Sequence, residues 1–103
     1  MGLKVIYLKT SILDLKSIYD YISLDSKKYA ALEIKKIKLF IDSLKNFPLK
    51  GKYYQTIKEQ EIRSIVFRNY IIFHSVSAIH IKILSIHHHA RSFANNPALK
   101  DDE

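Results

Sequence analysis

Cysteine and tryptophan are missing from this 103-residue chain, and glycine and proline occur only twice each. Without a thiol there is no disulfide framework, no thiolate nucleophile and no sulfur ligand for a metal. With glycine confined to positions 2 and 51, no phosphate-cradling loop, nucleophile elbow or dinucleotide fingerprint can be written, and no HExxH occurs. Apolar runs stop at four residues, as at Tyr70 to Phe73, far short of a bilayer. The opening MGLKVIYLKT has neither a long apolar stretch nor a small-residue cleavage site, so no signal peptide is expected. These absences predict a cytoplasmic protein without membrane contact.

Acidic residues are scarce too. Ten Asp and Glu face 17 Lys and Arg, a net charge of +7 and a pI near 9.6. Three of the ten acids are Asp101, Asp102 and Glu103, and without them residues 1–100 carry +10. Such a body attracts polyanions or an acidic protein. Nearly all the positive charge is lysine, however, and a lysine-rich composition alone produces the same balance. What is present is ordinary for a globular domain: 48% hydrophobic and 26% charged residues, in a length that suits one domain, residues 1–103.

Leu3 to Lys9 reads as a strand with both faces largely apolar, which places it inside a sheet. Thr10 or Ser11 offers a cap for a helix to about Ser23, with Asp14 in its favourable first turn. Ile12, Leu15, Ile18, Tyr19 and Ile22 share one face of it. Asp25 or Ser26 caps a second helix, whose apolar stripe is Ala30, Ile34, Ile37, Ile41 and Leu44, with Lys27, Lys35, Lys38 and Lys45 on the far side. Pro48 stops it. The period then changes. Lys52 to Ile57, Glu61 to Phe67, Tyr70 to Val76 and Ile79 to Ile86 read as strands joined by short turns, an antiparallel meander. Gly51 permits the turn that brings the chain into the sheet. The expected fold class is α+β, in the order β-α-α-β-β-β. The helical hairpin covers one face of a twisted, mainly antiparallel four-stranded sheet, and the other face is polar and open to a partner. Residues 92–103 are expected to form a partly irregular tail.

This order, with five segments in it, resembles the RelE/ParE superfamily of bacterial toxins from type II toxin–antitoxin modules. The segments are Asp14 to Ile22 in the first helix, Leu44 to Gly51 closing the second, Glu61 to Ile65, Asn69 to Phe73, and Ile83 to Arg91. The resemblance covers residues 3–97. It implies a toxin that inhibits bacterial growth and a cognate acidic antitoxin that neutralises it in a hetero-oligomer. Both helices and the ending are closer to the ParE branch, for which the implied target is DNA gyrase and the implied role plasmid stabilisation. The RelE branch implies ribosome-dependent, metal-independent cleavage of mRNA. That branch carries lysines two and four residues before the strand arginine, where this chain has Glu61 and Glu59, and an arginine where this chain has Ile71. A third reading is a decayed, non-toxic relative that still binds antitoxin.

The candidate residues follow. A nuclease would draw on Arg63, His88 and Arg91 as cations or proton donors and Glu61 as base. Contacts to a target or nucleic acid fall to Lys52, Arg63, Arg68, Lys82 and Arg91. Arg63 has an equally good structural role, paired to Glu61 or Glu59. Leu32 and Leu39, seven apart and nearly opposite the core stripe, should be exposed. With Lys35 they suit the amphipathic acidic segment of an antitoxin, although long helices often expose a leucine. In the run His87-His88-His89, His87 and His89 share a side and His88 does not. No further ligands accompany them, so neither a metal nor any other cofactor is expected. Tyr53, Tyr54 and Tyr70 suit base stacking or, more simply, packing.

Overall fold

The computed structural model of the chain describes residues 3–88. The elements are β1 (Lys4–Tyr7), α1 (Lys9–Ser23), α2 (Lys27–Ser43), β2 (Lys52–Ile57), β3 (Gln60–Phe67), β4 (Tyr70–Val76) and β5 (His80–His88). The expected α+β arrangement holds, with both helices on one face of the sheet. The sheet has five strands rather than four, in the order β1-β5-β4-β3-β2. All five segments that read as strands join it, and Lys58 and Glu59, at φ 50° and 67°, form the two-residue turn between β2 and β3. Two successive positive φ values match the twist of a hairpin without help from glycine. Strands β2 to β5 form the expected antiparallel meander.

β1 is parallel to β5 and lies at the sheet edge, not inside it as its two apolar faces suggested. The helical hairpin carries the chain from β1 over the sheet, so Val5 and Tyr7 are needed on the covered face although the outer edge has no strand beside it. The central strand is β4, buried along nearly its whole length.

In α2, Ala30, Ile37, Ile41 and Leu44 are fully buried, as the periodicity predicts, and Ser26 Oγ accepts the Tyr29 N–H at 3.1 Å to cap it. Each buried Ile or Leu contributes roughly 1.5–3 kcal/mol. These residues meet Leu15 of α1 and Ile65, Ile72, Ile81, Ile83 and Ile86 of the sheet. α1 departs from expectation at its start. Its N-cap is Leu8, without a side-chain cap, and Ser11 Oγ donates to Leu8 O at 2.7 Å. Ile12 is exposed.

The face away from the helices is not polar. Ile62, Ile71 and Phe73 are buried there, with Tyr54, Ile57 and Leu84 packed against them and Tyr54 edge-on to Phe73 at 5.2 Å. The reason is in β4, whose alternation puts Ile71 and Phe73 on this side and Tyr70, Ile72 and His74 on the helix side. A central strand apolar on both faces creates two cores. A register shift opposite Phe73 and His74 makes Leu84 an extra residue in β5. That bulge lets Ile81, Ile83 and Ile86 all reach the helix side despite their uneven spacing. Ile79, expected as the first residue of this strand, precedes it and is exposed.

Candidate functional site

Arg63 lies on β3 opposite His74 of β4, on the helix side, and shares that side with Glu61 and Phe67 as the strand alternation predicts. Its surroundings come from the connection between α2 and β2. Arg63 Nη1 donates to Gly51 O at 3.2 Å, and Nη2 donates to Glu61 Oε2 at 3.3 Å. His74 is fully buried, with Nε2 3.1 Å from Pro48 O. Two cross-strand neighbours thus grip both ends of the segment Pro48 to Gly51. Burial pushes the His74 pKa below its usual value of 6.5, the Pro48 bond pushes it back up, and the Arg63 charge depresses it further. The imidazole is therefore neutral, and Nε2–H donates to Pro48 O. Arg63 Nε, a donor, and His74 Nδ1, then an acceptor, are both buried without a partner.

Gly51 meets the need foreseen for it. Its φ is +100°, and a β-carbon there would stand 2.5 Å from Ser64 O. The strap is also packed from outside by Lys50, whose Nζ lies 5.9 Å from the Phe40 ring centre and 6.0 Å from that of Phe47.

The other candidates are dispersed. Arg68, in the turn between β3 and β4, pairs with Glu33 of α2 at 3.4 Å. Glu33 also accepts the Tyr70 hydroxyl, and burial, then the Glu33 charge, raise the Tyr70 pKa. His88 pairs with Tyr70 in the sheet, its ring 5.5 Å away and perpendicular. Tyr70 and His74 are four residues apart on β4, so His88 and Arg63 are separated by roughly 13 Å along the strand direction alone. The structure brings Arg63 and Glu61 together and keeps His88 away from them. Lys52 and Lys82 lie on the opposite face, three strands apart. Ile71 is buried in the second core, where the RelE pattern has an arginine. Arg91 and His89 lie outside the described residues, as does the tail 92–103.

On α2, Leu32 is 42% and Leu39 62% exposed, and Lys35 is exposed beside them, as the helical spacing predicts. A neighbouring apolar groove of about 650 Å³ was not foreseen. Tyr7, Ile12, Leu15, Tyr19 and Ile34 line it, with Lys16, Asp20 and Lys38 at its edges. The signal was present in α1, because Ile12 and Tyr19 are seven apart, but only the distance between the helices opens the groove.

Asp14 does not stand in the first turn of α1 as expected, because the helix starts at Lys9 and that turn holds no acidic residue; the role it does have was missed. Its Oδ2 accepts the Ile86 N–H at 2.9 Å, across 72 residues of chain. β1 ends at Tyr7, opposite Ile83, so beyond that point β5 has no strand on this side. Asp14 takes the place of the missing strand. Burial raises its pKa, the Ile86 bond lowers it, and so does His87. Among the described residues no group of three or more His, Asp or Glu is placed to hold a metal ion. None of their helices is long and apolar enough to cross a membrane.

A helical hairpin across a mixed five-stranded sheet is the fold of solved toxin–antitoxin proteins. A chain of the chromosomal ParDE system of P. aeruginosa superposes with a TM-score of 0.65 at 17% identity, covering 84% of this chain and 95% of that one. A chain of the archaeal RelE–RelB complex of Pyrococcus horikoshii OT3 gives 0.63, also at 17% identity, covering 89% and 100%. No curated protein matches in sequence. Residues 5–93 match the family model of the ParE toxin of the type II toxin–antitoxin system parDE, and the chain belongs to that family.

Proposed function

We propose that this protein arrests bacterial growth by acting on DNA gyrase, and that a cognate acidic antitoxin neutralises it by binding as a hetero-oligomer. The observation that carries the reading is the ParE-family match over residues 5–93. The geometry around Arg63 is consistent with it. Its Nη atoms donate to Gly51 O and Glu61, and among the described residues proposed for RNA cleavage His88 lies apart from Arg63 and Glu61. Arg63 acts here as the clasp of the strap Pro48 to Gly51. The antitoxin contact is assigned to the outer face of α2, where Leu32 and Leu39 flank Lys35. An amphipathic acidic segment would bury the leucines and answer the lysine.

The test is induction of the chain alone in a bacterium, followed by gyrase supercoiling and protein synthesis over time. The expected result is growth arrest with supercoiling lost before translation slows, relieved by co-expressing an acidic protein if one is encoded beside this gene. Translation stopping first, with mRNA cut, would replace this reading by the nuclease. Normal growth with abundant folded protein would leave a non-toxic antitoxin-binding relative.

A further inference from the structure

The apolar groove between α1 and α2 has been given no role so far. Its volume of about 650 Å³ lies within the range of roughly 300–1,000 Å³ found for small-molecule sites. Its walls are Tyr7 of β1, Ile12, Leu15 and Tyr19 of α1, and Ile34 of α2. The helices are joined through Leu24 to Ser26 and run antiparallel, so Lys38 lies level with Ile12, and Ile34 with the middle of α1. From Ile12 to Asp20 the groove follows α1 for roughly 12 Å, the reach of a medium-length alkyl chain.

The charges at its rim are unequal. At one end the Asp20 carboxylate takes the Lys16 ammonium at 2.8 Å. Beyond the other end Asp42, one turn past Lys38, takes Lys45 at 2.9 Å. Lys38 itself is exposed and has no ion pair or hydrogen bond among the described residues. Burial, then the Asp42 charge, raise the Tyr7 pKa, so its hydroxyl stays neutral at pH 7 and does not repel an anion.

We propose that this groove binds a medium-chain fatty acid, its carboxylate on Lys38 and its alkyl chain along Tyr7, Ile12, Leu15, Tyr19 and Ile34. Each part of the ligand answers a part of the groove. The chain covers apolar surface otherwise left to water, where Ile12 alone is 53% exposed. The carboxylate meets the rim cation that lacks a partner. The Asp20 charge at the other end disfavours the reversed orientation. The inference does not rest on the toxin reading, whose antitoxin contact is assigned to Leu32, Lys35 and Leu39 and not to the groove.

The experiment titrates the 15N-labelled full chain with decanoate at pH 7, below its micelle concentration. The expected result is a set of saturable shifts confined to the groove residues and Lys38, with a dissociation constant at or below about 1 mM. Decyltrimethylammonium, the same chain length on a cationic head, should bind about tenfold more weakly, because attraction at Lys38 becomes repulsion. Hexanoate, a shorter chain on the same head, should also lose at least about tenfold. Lys38→Gln removes the cation at an exposed position and should weaken decanoate about fivefold without weakening decyltrimethylammonium. No saturable shift, equal binding of the two head groups, or undiminished decanoate binding in Lys38→Gln would each overturn the proposal. So would shifts spread equally over Leu32 and Leu39, which would mean surfactant adsorption only. Groove shifts that follow protein concentration without decanoate would give the groove to a second copy and overturn it too. Should Lys38→Gln fail to fold, the head-group comparison in the wild-type chain still decides it.

Discussion

The two ends of the helix-covered face solve the same problem in opposite ways. At one end, Arg63 and His74 reach from the sheet to backbone carbonyls of Gly51 and Pro48, so sheet side chains donate and a loop accepts. At the other, Asp14 reaches from a helix to the backbone N–H of Ile86, so a helix side chain accepts and a strand donates. The first end is closed, its cation already answered by Glu61 and Gly51. The second has a cavity beside its carboxylate. A charged residue in a conspicuous motif can thus serve the fold, while one that reads as a helix-dipole residue can face an available space. Burial and partners decide which, and residue type does not.

The comparison can be broken most severely at the closed end. Gly51→Ala places a side chain on a backbone with φ +100° and drives its β-carbon to 2.5 Å from Ser64 O. We expect a loss of about 2–3 kcal/mol and, in a thermal melt, a midpoint lower by roughly 10–20 °C. Arg63→Ala should cost about 1–3 kcal/mol by leaving Gly51 O without its donor. Arg63→Lys should recover part of that, since an ammonium cannot bridge Gly51 O and Glu61 with a planar fork. Denaturant midpoints of the two variants measure this. At the other end, Asp14→Ala should cost about 1–2 kcal/mol for the bare Ile86 N–H, and hydrogen exchange at Ile86 should quicken. Asp14→Asn should cost distinctly less.

The two ends also differ in their response to pH. His74 has a folded pKa below the 6.5 of the unfolded chain. Between those values the unfolded state binds more protons. Its contribution is therefore complete above pH 6.5 and is lost as pH falls toward the folded pKa. Asp14 is raised above 3.8, so its contribution has the opposite sign. It is complete below 3.8 and lost as pH rises through the folded pKa. Chemical denaturation between pH 4 and pH 8 should show stability declining below pH 6.5 in the wild type. His74→Gln, which keeps a donor for Pro48 O, should flatten that decline. The smallest effect belongs to the exposed leucines. Leu32→Ala and Leu39→Ala should leave stability within about 0.5 kcal/mol while weakening antitoxin binding in a titration.

Much of this architecture was legible one element at a time. The stripe from Ala30 to Leu44, the Ser26 cap, the break before Pro48 and the turn at Gly51 all depend on neighbours within a few residues, and all are found. Each of the five strands was readable by itself, and only their total in one sheet was counted as four, because membership of a sheet depends on pairing between strands and not on local pattern. The edge position of β1 was misread because a strand beneath a helical hairpin is as apolar as a central one. The polar character expected of the open face failed because β4 alternates two kinds of apolar residue rather than apolar with polar.

For the candidate site the division is sharper. That Arg63 shares a side with Glu61, that His87 and His88 point apart, and that Leu32 and Leu39 face outward follow from the periods of strand and helix. Those periods are properties of the backbone and need no knowledge of the rest of the chain. Whether Arg63 is spent or available, which strand-edge amide Asp14 satisfies, and how far His88 lies from Arg63 depend on contacts between residues 12 to 72 positions apart in the chain. Those pairings exist only once the hairpin has settled on the sheet. Packing sets them, because a buried donor or acceptor takes whatever partner the assembled layers leave within reach.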